Sequence, residues 1–273
     1  MTLVVSWIGK DTHGVTSSYI ISDSRFTWTD KQYFDYGKKV FASKKYPELF
    51  GYAGDVLFPS VVLTQIIEMI DSGVLLTEQM TCEQKNKIIG EKIRSSLSNY
   101  PKELGNRPVQ IIHISRESIF KGYPSFHHYF MSYTSEKGWN SSEQEIPDKS
   151  GYIIAIGSGA REFESNYIKY QNTKNSSTSR NVYHCFVDTL EHIHDSNCGG
   201  APQLVGLMRK PDSCGNNYGI IYRNQRFLLG MEVPDESSFQ GVAWRNMLFE
   251  ICDGDSKKRV PGAAKQPRPR NII

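Results

Sequence analysis

Five places in this sequence carry groups that together could perform acyl-transfer chemistry. The chain opens Met1-Thr2-Leu3-Val4-Val5-Ser6-Trp7-Ile8. Removal of Met1 would leave Thr2 as a free N-terminal threonine, with a hydroxyl nucleophile and an amine base on one residue. Asp23 follows an apolar run, in Ser22-Asp23-Ser24-Arg25, and Lys39 opens another, in Lys38-Lys39-Val40. Gly54 and the pair Ser158-Gly159 each close an apolar segment. A lysine beside the hydroxyl favours its deprotonated form and depresses the proton affinity of the amine. A carboxylate would hold that lysine in place, and a backbone N–H at a glycine strand end could face a developing oxyanion.

Each of these residues also has a plainer reading. Many chains begin Met-Thr. Asp23 fits a turn or a surface partner of Arg25, and Lys38-Lys39 fits solvated charge at a strand start. Gly54 and Gly159 fit conformational punctuation, and Ser158 fits a helix N-cap. Residue types alone do not choose between the two sets.

The elements that must position these groups can be read from periodicity. Residues 3–8 and 16–24 read as a hairpin of two strands around a turn at 10–15. An aromatic, polar stretch covers 26–37. Short strands follow at 38–42 and 49–54. A helix starting at Asp55 or Ser60 runs to Gly73, and a second spans 83–98 and is closed by Pro101. Strands return at 108–114 and 127–133, then a polar connection at 135–150 and a strand at 152–156. Helices are expected at 160–171 and 181–194, with a mobile loop at 172–180 between them. Strands at 203–209, 217–223 and 226–231 precede a short helix at 239–250. Strands followed by helices therefore occur twice. The expected fold is α+β, a four-layer αββα sandwich of two antiparallel sheets in one domain of residues 1–250. Residues 251–273 form a basic, Pro-rich tail expected to be flexible.

Bulk properties describe an ordinary globular chain. It has 273 residues, 38% of them apolar and 22% charged, with a formal net charge of +3. That balance gives no reason to expect nucleic acid or membrane as partner. Five widely spaced cysteines without a CxxC argue against a disulfide framework and against a tetrahedral zinc site. Neither a signal peptide nor a membrane-length apolar run is legible, so a cytoplasmic protein is expected.

The motifs, in order, resemble those of the β-type subunits of the proteasome, and most closely the bacterial HslV (ClpQ) peptidase, among the N-terminal nucleophile hydrolases. Thr2-Leu3-Val4-Val5 is similar to the family's opening, Ser22-Asp23-Ser24 to its strand-two aspartate, and Lys38-Lys39-Val40 to its Lys-Lys-Val. Gly51-Tyr52-Ala53-Gly54 is similar to its Gly-Phe-Ala-Gly. Ala155-Ile156-Gly157-Ser158-Gly159-Ala160 is similar to its Ala-Ile-Gly-Ser-Gly-Gly, and Asp195-Ser196-Asn197-Cys198-Gly199-Gly200 to the proteasomal Asp-x-x-Ser-Gly-Gly.

The resemblance covers roughly residues 2–231. It implies a threonine endopeptidase with Thr2 as nucleophile and base, tuned by Asp23 and Lys39. Gly54 would be the oxyanion donor, and Ser158, Asp195 and Cys198 would hold the amine and a water. It implies self-assembly into a ring, an ATP-dependent unfoldase as partner, and peptide or unfolded protein as substrate. No cofactor is needed for the chemistry, with room for a monovalent or divalent cation near the active-site loop. Lys39→Ala is expected to abolish turnover with the fold intact, and Lys38→Ala to be mild.

The chain departs from the family pattern in several places. The first hairpin is longer, Ser22 replaces a glycine, and Cys198 replaces a serine. Asp55-Val56-Leu57-Phe58 replaces Gly-Gly-x-Ala-Asp, and the chain has additions at 122–150 and beyond 231. Arg25, Thr27, Tyr52 and Asp55 fall where the family lines its specificity pocket; Asp55 there would favour a basic substrate side chain, unless it simply caps the helix. An inactive structural subunit and an amidase for a small molecule are the competing functions.

Overall fold

A computed structural model describes residues 2–28, 32–101, 107–117, 122–210, 213–269 and 272. The first hairpin joins β1 (Val4–Asp11) to β2 (Gly14–Ser22), with Val4 opposite Ser22 and Val5 opposite Ile21. A small hairpin of β3 (Phe26–Thr27) and β4 (Tyr33–Phe34) follows. Then come β5 (Val40–Ala42), β6 (Glu48–Gly54), α1 (Leu57–Asp71) and α2 (Cys82–Ser98). The chain continues through β7 (Val109–Arg116), β8 (Phe126–Thr134), β9 (Gly138–Gln144) and β10 (Gly151–Ile156) to α3 (Ala160–Gln171) and α4 (Ser179–His192). It closes with β11 (Gln203–Met208), β12 (Asn216–Tyr222), β13 (Gln225–Leu228), β14 (Met231–Glu232), β15 (Ala243–Asn246) and β16 (Ile251–Cys252).

Two sheets result. One runs β10-β1-β2-β11-β12-β13-β14, with β15 added to β12 in parallel and β16 on β15. The other runs β5-β6-β7-β8-β9, antiparallel throughout.

Strand alternation sends successive side chains into different layers. In β1, Val4 points between the sheets, where it meets Ile20, Val40, Ala53, Ile112 and Ile156. Its neighbours Leu3, Val5 and Trp7 point the other way, onto Phe163, Val182 and Phe186 of α3 and α4. The second sheet does the same with α1 and α2: Phe50, Tyr52 and Ile111 pack on Val62, Ile66, Ile89 and Ile93. Each fully buried aliphatic side chain contributes roughly 1.5–3 kcal/mol. Trp7 also stacks on Tyr19 at 4.8 Å and donates its indole N–H to Ser179 Oγ at 2.6 Å. Trp7→Ala should cost that layer about 3–5 kcal/mol. The architecture is a four-layer αββα sandwich, an α+β fold.

Three segments differ from their sequence reading. The polar connection at 135–150 contains β9, whose side chains are mostly exposed because it is the edge of its sheet. An edge strand with little to bury carries no apolar alternation. The expected helix at 239–250 is instead β15. Positive φ at Gly241 (83°) and Phe249 (66°) breaks any helix there, and Trp244 packs across Gly219 of β12. The expected strand at 226–231 bends at Leu229 and Gly230, both at positive φ.

Residues 251–269 make specific contacts. The Gln266 N–H reaches Glu250 Oε1 at 2.9 Å, and Arg268 pairs with Asp188 and Glu191 of α4. The Arg268 guanidinium also donates to the Met247 carbonyl at 3.1 Å. The loop at 172–180 joins them through Asn175 Nδ2, which donates to the Pro267 carbonyl at 3.1 Å. The basic composition of this segment thus has an acidic helix face opposite it. No helix among the described residues is long and apolar enough to cross a membrane.

Candidate active site

The N-terminus of β1, the C-terminus of β2 and the C-terminus of β10 meet at one end of the large sheet, since Val4 lies opposite both Ser22 and Ile156. Thr2, two residues before Val4, is therefore placed beside Asp23 and the Gly157-Ser158-Gly159 turn. The Thr2 N–H donates to Ser158 Oγ at 3.2 Å, and the Gly159 N–H donates to the Thr2 carbonyl at 3.2 Å. Met1 lies outside the described residues.

Asp23 collects donors on both carboxylate oxygens. Oδ1 accepts from the Leu3 N–H at 3.0 Å and from Lys39 Nζ at 2.8 Å. Oδ2 accepts from the N–H groups of Gly199 at 3.0 Å and Arg25 at 3.2 Å. Lys39 is buried to 1% exposure and Asp23 to 0%. Burial drives the Lys39 pKa below its usual value, against the opposing pull of the Asp23 charge and hydrogen bond. Lys38 points the other way: it is exposed, with Nζ 4.3 Å from the Phe41 ring centroid. Gln203, which sequence reasoning did not single out, ties the assembly together. Its Nε2 donates to the carbonyls of Asp23 (3.0 Å) and Gly37 (2.6 Å), and its Oε1 accepts from the Lys39 N–H at 3.0 Å. The signal was a glutamine opening the apolar run Gln203-Leu204-Val205.

Ser158 is not the cap of α3; the N-cap is Gly159, with no side-chain cap hydrogen bond. The hydroxyl is used instead at Thr2, with Cys198 Sγ 3.9 Å away. Cys198 Sγ lies 3.7 Å from Asp195 Oδ2. Burial, with help from the charges of Asp23 and Asp195, pushes the Cys198 thiol up to about 12, so it stays protonated at neutral pH. Burial also works to raise the Asp195 carboxyl, but hydrogen bonds from Ser158, Asn197 and Cys198 outweigh it and hold the group below its ordinary range.

The two strand-end glycines are fixed by sterics. Gly54 has φ +99°, and a Cβ there would meet the Pro108 carbonyl oxygen at 2.2 Å. Gly157 has φ +92°, and a Cβ there would meet the Thr2 carbonyl oxygen at 2.1 Å and the Ala53 methyl at 3.3 Å. Ala53-Gly54 thus borders the Thr2 end of the site. Thr2, Asp23, Lys39, Ser158, Asp195 and Cys198 form one connected group.

Two of the expected pocket residues have fixed partners. Asp55, one residue ahead of the α1 N-cap Val56, accepts the Phe58 N–H on Oδ2 at 3.0 Å. Arg25 forms a two-pronged pair with Asp35 at 2.7 and 2.8 Å. A cleft bounded by Arg25, Asp35, Asp195, Cys198, Gly199 and Tyr222 opens beside Asp195 and Cys198.

No protein-family model matches this chain, and no curated protein matches it by sequence. Its fold is similar to a solved structure of an Anbu (Gly-1) mutant from Hyphomicrobium sp. strain MC1, at 14% identity and TM-score 0.52, covering 80% of this chain and 87% of that one. It is also similar to a helical assembly of the Anbu complex from Pseudomonas aeruginosa, at 12% identity and TM-score 0.55, covering 86% of this chain and 88% of that one. At these identities the likeness is one of fold. It corrects the resemblance drawn from the motifs: these similar structures are of Anbu, not of HslV (ClpQ).

Proposed function

We propose that this chain is a threonine-type endopeptidase, with Thr2 as the nucleophile once Met1 is removed. The observation that carries the reading is the sharing of Asp23 Oδ1 by the Leu3 N–H and Lys39 Nζ. It sets a buried ammonium–carboxylate pair one peptide from the Thr2 hydroxyl. In this reading the Thr2 hydroxyl passes its proton to the α-amine as its oxygen attacks the substrate carbonyl. The amine keeps the Ser158 hydroxyl as hydrogen-bond partner. Lys39 supplies the field that favours the alkoxide, and a backbone N–H at Gly54 receives the oxyanion. The collapsing intermediate expels the substrate amine, which takes the proton from the Thr2 ammonium. Water, deprotonated by the same amine, then cleaves the ester and restores Thr2. The chemistry needs no cofactor.

The helical assembly of one similar structure supports self-association of this chain through a heterologous interface. A helix rather than a closed ring is then an open alternative for its geometry. Unfolded polypeptide delivered by an ATP-dependent unfoldase in the cytoplasm completes the proposal. The test is peptide hydrolysis by the purified protein. Thr2→Ala should lose about 10³-fold or more in kcat, and Thr2→Ser should retain part of the activity. Wild-type rates in Thr2→Ala would overturn it.

A further inference from the structure

A second cluster of chemistry-bearing side chains lies at the opposite end of the small sheet. It joins Cys82, the first residue of α2, to Glu117 just beyond β7 and His127 on β8. Their ligand atoms lie within 4.8 Å of one another. Gly54 pairs with Val109 at one end of β7, while the cluster sits beyond Arg116 at the other. At about 3.3 Å per residue the two sites are ~23 Å apart along that strand.

His127 is set up as a ligand. Glu143 Oε1 holds its Nδ1 at 2.7 Å, which fixes the ring and aims Nε2 at the cluster. That Nε2 is buried and has no hydrogen-bond partner among the described residues, its nearest charged neighbour being Glu117 Oε1 at 3.7 Å. The contrast with His113, on the neighbouring strand, is direct. Both of its ring nitrogens are satisfied, by Glu48 at 2.8 Å and Asn86 at 3.1 Å. Glu117 is oriented too, since Ser125 Oγ donates to its Oε2 at 2.8 Å. Tyr129, stacked on His127, also buries a hydroxyl without a partner among the described residues. Two orphaned polar atoms in one place is a real cost, of about 1–3 kcal/mol each.

We propose that Cys82 Sγ, Glu117 and His127 Nε2 bind a zinc-class divalent cation that clamps the start of α2 onto β7 and β8. The donor set is one sulfur, one nitrogen and one oxygen, the mixture that suits Zn²⁺. Zn–N and Zn–O bonds near 2.0–2.1 Å and Zn–S near 2.3 Å require donors roughly 3.3–3.6 Å apart in a tetrahedron. The His127–Glu117 separation of 3.7 Å is a few tenths of an ångström longer than that, and all three donors lie within 4.8 Å, so small rotations of the half-exposed Glu117 and of the Cys82 side chain bring them into range. Binding displaces one proton, that of the Cys82 thiol, which leaves to solvent as the S–metal bond forms. Glu143 completes a carboxylate–histidine–metal relay. Residue spacing hid the site, because its three ligands come from three separate elements.

The test uses the full-length protein, stripped with chelator and titrated with Co²⁺ and then Zn²⁺. One Co²⁺ per chain is expected, with a thiolate-to-cobalt absorption band in the near ultraviolet that Zn²⁺ abolishes. Cys82→Ser should lose the band. Glu143→Gln, whose side chain is largely exposed and whose fold is checked by circular dichroism, should weaken Zn²⁺ binding about 10–100-fold. Cys214→Ser should change neither, and Thr2→Ala should bind as the wild type does. Absence of a thiolate band in the wild type, or an unchanged band in Cys82→Ser, would overturn the proposal. So would equal affinity in Glu143→Gln.

Discussion

The Lys39 ammonium lies 2.8 Å from Asp23 Oδ1, and neither side chain reaches solvent. A buried pair of this kind contributes little net stability while intact, but removing one partner leaves an uncompensated charge in the core. The pair is therefore a positioning device with a structural penalty attached to its loss.

Lys39→Ala should lower stability by about 3–5 kcal/mol as well as abolish turnover. This revises the expectation that the fold would be untouched. Lys38→Ala, which removes an exposed ammonium over Phe41, should shift stability by no more than ~0.5 kcal/mol and leave activity near wild type. The double change Lys39→Met/Asp23→Asn should recover much of the lost stability but none of the activity. Denaturant midpoints and peptide hydrolysis on the four proteins measure both effects. Equal loss from Lys38→Ala and Lys39→Ala would contradict the register.

Gly157→Ala should damage the site through the Thr2 carbonyl. The new methyl would sit 2.1 Å from that oxygen, so the start of β1 must move. Gly14→Ala is the matched control: its φ is also positive, at 114°, but nothing lies within 4 Å of the added Cβ. Both variants bear backbone strain of roughly 1–2 kcal/mol. Only Gly157→Ala should also cost activity, by about 10²-fold. Thermal melts and kcat separate the shared strain from the specific clash.

Much of this arrangement was legible in the sequence because strand alternation fixes it. Once residues 3–8 and 16–24 pair as a hairpin, the start of the first strand and the end of the second lie at one end of the sheet, and the Lys38-Lys39 pair must split between two faces. Which lysine faces inward came from the motif, not from alternation. What could not be read was whatever depends on partners distant in sequence. β9 is polar because only one strand covers it. β15 forms because Trp244 finds Gly219, and no local period announces that. Gln203 looks like an ordinary strand residue until its amide is seen bridging three backbone groups. The Cys82, Glu117 and His127 cluster needs the helix laid on the sheet before its members meet.

Stability should fall in acid for a reason separate from the active site. Burial lowers the His128 pKa to about 3 and that of His184 to about 4, both well below the ordinary 6.5. A depressed folded-state value means that unfolding takes up protons below 6.5. The contribution is fully present above pH 6.5. It is lost as pH falls, down to about 4 for His184 and about 3 for His128. Each residue contributes a slope of ~1.4 kcal/mol per pH unit inside its window. Urea unfolding between pH 7 and pH 5 measures the slope, and His128→Gln/His184→Gln should flatten it. An unchanged slope in that variant would place the acid sensitivity elsewhere.

The central claim is that Thr2 carries both nucleophile and base, and the most direct measurement is mass spectrometry of the protein after an epoxyketone electrophile. Such a reagent needs a hydroxyl and an α-amine on one residue to close its ring. The mature protein should begin at Thr2. One adduct per chain should form on the N-terminal peptide, and none in Thr2→Ala. Cys198 should stay unlabelled, because its thiol is buried and protonated. A chain that retains Met1 throughout, or label confined to the Cys198 peptide while Thr2→Ala still cleaves peptides, would contradict it.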